Sequence, residues 1–177
     1  MTIPGVPSSE AVMPRSQWSG VLRDATVEVF SMMAAANIVV PQSGPDPVIV
    51  AEPAESSVLA YVTGMVGIAG AMRAIFSLRC SEGTATKLAS LMLGVSEEEA
   101  TAQRSDAIGE LCNMIAGNFK HQIGLSADCT LSVPTVVMGG NYSIHCLEAG
   151  ERLEFPAIYE GETLLITLDI RGSSPAN

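Results

Sequence analysis

The sequence is poor in basic side chains. Nine of its 177 residues are lysine or arginine, against 19 aspartates and glutamates, and the formal net charge is −10. Only two of the basic residues are lysines, Lys87 and Lys120. Because a protein needs a basic patch to bind nucleic-acid phosphates, this balance disfavours nucleic acids and anionic membrane surfaces as partners. It leaves room for a small anionic target such as one phosphoryl group.

Close pairs of metal ligands are also missing. The chain has no C-x-x-C pair, and its only histidines are His121 and His145. Structural zinc sites usually contain such pairs, so no metal site is predicted. The cysteines are expected to be buried and reduced, which indicates a reducing compartment and a cytoplasmic protein. They are Cys80, Cys112, Cys129 and Cys146.

No N-terminal segment has the apolar core of a signal peptide. One apolar run, residues 58–78, has 21 residues and a single charge, Arg73, so its length could span a membrane. Gly64, Gly67 and Gly70 interrupt this run, and its β-branched residues favour strands. Two buried strands joined by a glycine turn are therefore predicted, and no membrane helix.

Apolar periodicity and turn residues predict a single domain, residues 18–171. The flanking residues 1–17 and 172–177 are rich in serine and proline and are expected to be flexible tails. Helices are predicted at residues 19–38, 82–93 and 106–123, with a Ser96-x-x-Glu99 capping box before the last. Strands are predicted at residues 48–52, 58–63, 72–80, 130–138, 142–147, 153–159 and 163–170. This order predicts an α+β fold in which long α-helices cover a mainly antiparallel β-sheet.

The helix predicted at residues 106–123 has two distinct faces. Its large apolar side chains fall within about a third of the helical circle and form a core face. They are Ile108, Leu111, Cys112, Ile115, Phe119 and Ile123. On the opposite side, four residues cluster within about 60° and should face outward. This polar line consists of Asp106, Glu110, Asn113 and Gly117.

The polar line is either a solvated helix face or a surface that binds another molecule. A solvated face normally carries Lys, Glu, Gln and Arg, whereas Asn113 and Gly117 are poor helix formers. Gly117 also leaves a notch where a partner backbone could approach closely. The Asn113 amide can both donate and accept hydrogen bonds and so fix a water molecule, and Glu110 can bind a cation. Together they suit water positioning for phosphoryl hydrolysis, with the electrophile and metal supplied from elsewhere.

An earlier predicted helix carries a similar pattern. Asp24, Glu28 and Ser31 each lie 82 positions before a member of the polar line. A helix followed by strands thus occurs twice in the chain. This order indicates a duplicated helix-plus-strands unit with pseudo-two-fold symmetry, and a chance match of the two motifs is the alternative. Ser31 is too short to hold a water molecule where Asn113 would, so the first copy is expected to be inactive.

The motif Asp106-x3-Glu110-x2-Asn113, followed by Pro134, resembles the signature of the CheC/CheX/FliY chemotaxis phosphatases. The run DAIGELCNMIAGNFK is most similar to CheX. The strand-to-helix unit SLRCSEGTATKLASLMLG and the paired long helices are also similar to the family. The resemblance covers nearly the whole chain, about residues 18–171.

This resemblance implies a phosphatase that hydrolyses the aspartyl phosphate of a CheY-like response regulator, in chemotaxis or related two-component signalling. By analogy, Asn113 orients the attacking water and Glu110 pairs with the regulator's active-site lysine. Asp106, Gly117 and Pro134 would contact the regulator. The regulator would bind Mg²⁺, so no cofactor is expected on this chain. CheX-type members carry one active motif and tend to form homodimers through sheet edges, which fits the inactive first copy.

Two alternatives stay open. The first is a binding module of the same fold that sequesters a response regulator or another signalling protein without catalysis, and the second is an unrelated α+β protein. The pairing of Glu110 with Asn113 favours the phosphatase, because a binding module would have little need for both residues. Phosphate release from phosphorylated regulators would separate these hypotheses.

Overall fold

The computed structural model describes residues 12–41, 60–140, 142, 144 and 150–171. Within these ranges, one antiparallel sheet is combined with three long helices and one short helix. The helices are α1 (Trp18–Ala34), α2 (Glu82–Leu93), α3 (Glu97–Ala100) and α4 (Arg104–Gln122). The strands are β1 (Tyr61–Gly70), β2 (Ala74–Ser81), β3 (Cys129–Leu131), β4 (Thr135–Gly139), β5 (Gly150–Tyr159) and β6 (Glu162–Arg171).

The sheet has the order β3-β1-β2-β6-β5, and β4 also pairs with β1. β2 and β6 pair at the centre, and each has its own hairpin partner, β1 or β5, on its outer side. α1 precedes the first hairpin in the chain and α4 precedes the second. Val39, just after α1, pairs with Ile158 on the outer side of β5, as β4 pairs with the outer side of β1. This arrangement confirms the predicted α+β fold and its duplicated helix-plus-strands unit.

Local capping signals define the helices that lead to α4. The Ser81 hydroxyl accepts a hydrogen bond of 3.1 Å from the Thr84 amide at the start of α2, and Gly94 ends α2 with a φ of +67°. The predicted capping box of Ser96 and Glu99 is present at the start of α3. α4 packs against β1 and against α1 and α2. The six core residues predicted for this helix are all completely buried, including Ile123, which directly follows its last residue.

α1 ends earlier than predicted, at Ala34 and not at residue 38. Ala35 adopts a left-handed conformation with a φ of +46°, and the Ala36 amide donates a hydrogen bond to the Phe30 carbonyl. This turn buries Ala36 and Ile38 in the core. Before α1, the Met13 amide donates to the Ile123 carbonyl, while residues 1–11 lie outside the described residues.

The predicted glycine turn within residues 64–70 is wrong, because β1 runs without interruption through Gly64 and Gly67. The chain turns only after Gly70, which has a φ of +131°. Gly64 lies directly under α4: a Cβ atom there would be 2.5 Å from the Cys112 sulfur. The glycine therefore allows the helix to approach the sheet closely. The apolar run that has the length of a membrane span forms β1 and β2, and no described helix is both long and apolar enough to cross a membrane.

The C-terminal hairpin of β5 and β6 agrees with its predicted strands. Tyr159 pairs with Glu162, and the two residues between them have positive φ angles, +49° for Glu160 and +82° for Gly161. Such a two-residue turn matches the twist of antiparallel strands. The predicted strands at 48–52 and 142–147 lie wholly or largely outside the described residues, and so do residues 172–177.

The single strand predicted at residues 130–138 is divided into β3 and β4. Ile68 pairs with Leu131 and Met65 pairs with Thr135, so two residues of β1 lie opposite residues 132–134. This excess of one residue is a β-bulge, which interrupts the ladder and redirects side chains. We refer to residues 132–134 as the bulge.

Candidate functional site

Helix α4 carries the polar line on its outer side. Asp106 and Glu110 are exposed, whereas Asn113 and Gly117 are half-buried. Asp106 lies in the first turn of the helix, where a negative charge interacts favourably with the helix dipole. The polar line thus runs from an exposed acidic end near the helix N-terminus to a more enclosed neutral end.

The side chains of Glu110 and Asn113 project from the same face, because residues three apart are neighbours on a helix. Within the ranges that the structure describes, neither side chain forms a hydrogen bond or an ion pair. Their oxygens and the Asn113 amide hydrogens are therefore available to another molecule. An uncommitted carboxylate and amide one turn apart can act together on one small target.

The bulge lies alongside this part of α4. A Cβ atom on Gly109 would be 3.3 Å from the Pro134 Cβ, and one on Gly117 would be 3.8 Å from Leu131 Cδ1. Gly109, Asn113 and Gly117 are successive members of one row on the helix, four residues apart. The segment from Leu131 to Pro134 therefore passes the helical turn that carries Asn113. The structure brings Pro134 to the site helix, as the sequence motif suggests.

Gly117 provides less free space than its place on the polar line predicts. A Cβ atom added to Gly117 would point toward Leu131 of the same chain and lie at an ordinary van der Waals distance from it. The notch is thus partly occupied by β3. Contact of Asp106, Gly117 or Pro134 with a partner stays a prediction.

The bulge is held firmly against β1. The Ser132 amide donates to the Gly67 carbonyl over 2.8 Å, and the Ser132 hydroxyl accepts from the Gly67 amide over 2.9 Å. The Lys120 ammonium, near the end of α4, donates to the carbonyl of Cys129 at the start of β3 over 2.8 Å and to the carbonyl of Ser126 in the preceding loop over 3.2 Å. This wall of the site is therefore fixed by hydrogen bonds to both β1 and α4.

The first copy of the motif has a different role in the structure. Glu28 accepts hydrogen bonds from the Asn118 amide over 2.8 Å and from the Gln122 amide over 3.3 Å. Both amides belong to α4, so the carboxylate joins α1 to the site helix. Asp24 and Ser31 are exposed beside it. Glu28 is thus committed to a contact within the domain, whereas Glu110 is not.

The cysteines that the structure describes offer no activated nucleophile to the site. Cys80, Cys112 and Cys129 are free thiols and are buried. Burial raises the pKa of Cys80 to about 12, and it raises the pKa of Cys112 still further. No cluster of three or more potential metal ligands occurs among the residues with described positions.

Sequence reasoning did not single out Gly109 or the bulge residues that precede Pro134. The signal for Gly109 is its spacing, since it lies four residues before Asn113 and eight before Gly117. A small residue at that position allows a neighbouring strand to approach the helix. The bulge has no such local signal, because it depends on how β3 and β4 pair with β1.

The described part of the chain forms one sheet that is covered by helices. One of these helices, α4, carries on its outer side a carboxylate and an amide that make no bond within the described residues. Several solved structures have this fold. CheX from Vibrio vulnificus is 22% identical with a TM-score of 0.68, over 89% of this chain and 99% of that chain. CheX in the CheX–CheY–BeF3–Mg²⁺ complex from Borrelia burgdorferi is 21% identical with a TM-score of 0.67, over 89% and 100%. FliY from Thermotoga maritima is 16% identical with a TM-score of 0.58, over 95% and 92%.

The family follows from the sequence itself. The model of the family "Chemotaxis phosphatase CheX" matches residues 62–157, which is more than half of the chain. The chain belongs to the CheX chemotaxis phosphatase family. The matched region contains α4 and the bulge but not α1. A search of curated proteins found no match.

Proposed function

We propose that this protein is a phosphatase that hydrolyses the aspartyl phosphate of a CheY-like response regulator. The observation that carries the proposal is the uncommitted Glu110 and Asn113 pair on α4, in a chain of the CheX family. The polar atoms of Asn113 are not shut off from solvent, and Glu110 is exposed, so a second molecule can bind both without breaking a contact within the described residues.

In the proposed reaction, Asn113 holds the attacking water. Its side-chain oxygen accepts a hydrogen bond from the water, and its NH₂ group donates to a phosphoryl oxygen. The water oxygen forms a bond to phosphorus while the bond from phosphorus to the aspartyl oxygen breaks. The products are the free aspartate and inorganic phosphate, which retains the elements of water. Because little covalent chemistry is required of the enzyme, placing the water in line supplies most of the rate gain.

Glu110 acts on the regulator and not on the water. Glu110 lies three residues before Asn113 on α4, and its carboxylate is exposed. We propose that this carboxylate pairs with the active-site lysine of the regulator. Such a pair fixes the register of the two proteins, because it becomes shielded from water when they dock. The Mg²⁺ ion belongs to the regulator in this proposal, where it neutralises charge on the phosphoryl group. A homodimer formed through a sheet edge is proposed by analogy with CheX-type members.

The decisive experiment is phosphate release from purified CheY-like regulators that have been phosphorylated with acetyl phosphate and freed of the donor. Asn113→Ala is expected to lower kcat by about 100-fold or more, as the loss of a positioning group does. Its melting temperature should stay unchanged, because the Asn113 side chain makes no hydrogen bond within the described part of the chain.

Asn118→Ala is the matched control on the same helix. The Asn118 side chain donates a hydrogen bond to Glu28 of the same chain. Asn118→Ala should therefore lower the free energy of unfolding somewhat and change kcat little. Ser31→Ala should also leave activity intact, and a large decrease there would make the first copy a working site. Full activity of Asn113→Ala would refute the proposed role, and a large loss of its stability would place Asn113 in a structural network. Binding of regulators without any hydrolysis by the unmodified protein would favour the binding module.

A further inference from the structure

Val133, the middle residue of the bulge, is the most exposed of the large apolar side chains that the structure describes. It is 85% exposed, although its neighbours Ser132 and Pro134 both have fixed contacts. A single exposed valine is ordinary on a protein surface. This one is unusual because of its position, since the bulge holds it at the turn of α4 that carries Asn113.

The bulge explains this exposure. In a regular strand, side chains alternate between the two faces of the sheet, and residues that point to the helices are covered. Here Leu131 faces α4 at Gly117 and Pro134 faces it at Gly109. These two residues are three positions apart, so in a regular strand they would point to opposite faces. The extra residue of the bulge makes this arrangement possible and leaves Val133 directed away from the protein.

We infer that Val133 is an apolar docking contact for the phosphorylated regulator and determines affinity for it. The inference rests on the proposed function. A phosphoryl group that reaches Asn113 comes close to the bulge, because Leu131 and Pro134 lie against α4 on either side of this turn of the helix. A protein that carries the phosphoryl group would then extend over the bulge and cover Val133, which is 85% exposed. The expected partner surface has a cation opposite Glu110 and an apolar patch, beside its phosphorylation site, opposite Val133.

The rigid setting of Val133 supports a role in affinity. Ser132 forms two hydrogen bonds with Gly67, and Lys120 fixes the start of β3 and the loop before it. A side chain whose backbone is already fixed loses less conformational entropy on docking than one on a flexible loop. Removing the exposed apolar surface of Val133 from water on docking would favour binding.

The test measures affinity and turnover separately for Val133→Ser. The probe is a CheY-like regulator activated with beryllofluoride and Mg²⁺, and the Kd is measured by calorimetry. Val133→Ser is expected to raise both Kd and KM roughly tenfold and to change kcat by less than about twofold, as expected for lost binding outside the reacting groups. Val133→Ile should retain the original Kd. The melting temperature should not change, because the side chain is exposed.

Val39→Ser is the matched control. Val39 is also an exposed valine, 65% accessible, and its backbone is fixed by two hydrogen bonds to Ile158 at the far side of the sheet. It should leave Kd and KM unchanged. An equal loss of affinity in both variants would overturn the inference, as would a lower kcat with an unchanged Kd for Val133→Ser.

The outcomes also separate this inference from the proposed function. If Asn113→Ala abolishes hydrolysis but Val133→Ser binds normally, the phosphatase stands and the docking contact is refuted. If the activated regulator binds in a Val133-dependent manner but is never dephosphorylated, the docking contact stands and the phosphatase is refuted. If the unmodified protein neither binds nor dephosphorylates any CheY-like regulator, both are refuted.

Discussion

Gly64→Ala is expected to destabilise the protein by driving α4 away from the sheet. The added methyl carbon would lie 2.5 Å from the Cys112 sulfur and 2.9 Å from Ile108 Cγ2. It would also lie 3.3 Å from the Ile108 carbonyl oxygen, which belongs to the helix backbone. Cys112 and Ile108 are completely buried, so neither side chain can move into solvent. Relief requires a displacement of the helix.

The expected loss is about 2 kcal/mol, within the range of about 1–3 kcal/mol that overpacking of a well-packed core costs. For a domain of this size the melting temperature should fall by roughly 4 to 8 °C. With an m-value of about 2 kcal/mol/M, the urea midpoint should fall by about 1 M while the slope is retained. Circular dichroism during thermal and urea unfolding measures both quantities.

Gly20→Ala provides the control for the substitution itself. Gly20 lies in α1, and a Cβ atom there would meet no other atom within 4 Å. The same change should stabilise the protein by about 0.5–1 kcal/mol, because alanine loses less backbone entropy in a helix. Adding Cys112→Ala to Gly64→Ala removes the nearest atom and should recover part of the loss, which a double-mutant cycle measures. A neutral or stabilising effect of Gly64→Ala would refute the close approach of α4 to β1.

Two further predictions concern local features. Ser81→Ala removes the acceptor for the Thr84 amide and should lower the free energy of unfolding by about 1 kcal/mol in urea titrations, whereas Ser81→Asp should retain it. An unchanged midpoint for Ser81→Ala would show that the cap contributes nothing. Cys80 and Cys112 should resist a disulfide reagent at mildly alkaline pH until the protein unfolds, because burial raises the pKa of both thiols. Rapid labelling of the native protein, followed by mass spectrometry, would contradict their buried positions.

The elements with local signals were predictable from the sequence. α2 begins after Ser81 and ends at Gly94, because a hydroxyl that bonds the first turn and a glycine with positive φ act within a few residues. The hairpin of β5 and β6 follows from the turn at Gly161 in the same way. The two faces of α4 were predictable because helical periodicity alone separates buried from outward positions.

The features that depend on distant residues were not predictable. The glycine spacing predicts a turn at Gly64, but in the structure this residue makes room for Cys112, which lies 48 positions later in the chain. Ala35 ends α1 without a glycine, because the following residues are buried and Val39 then pairs with β5. In both places tertiary contacts determined a conformation for which the local sequence has another preference.

The sequence by itself determined the order of most helices and strands, the core face of α4 and the outward row with Glu110 and Asn113, because spacing along one helix defines them. Only the tertiary structure decided what surrounds that row. The pairing of β3 and β4 with β1 creates the bulge, places Pro134 against Gly109 and exposes Val133. The contact between α1 and α4 commits Glu28, while Glu110 stays free of partners within the described residues. Such differences arise from registers and packing between segments far apart in the chain, and no periodicity within one segment records them.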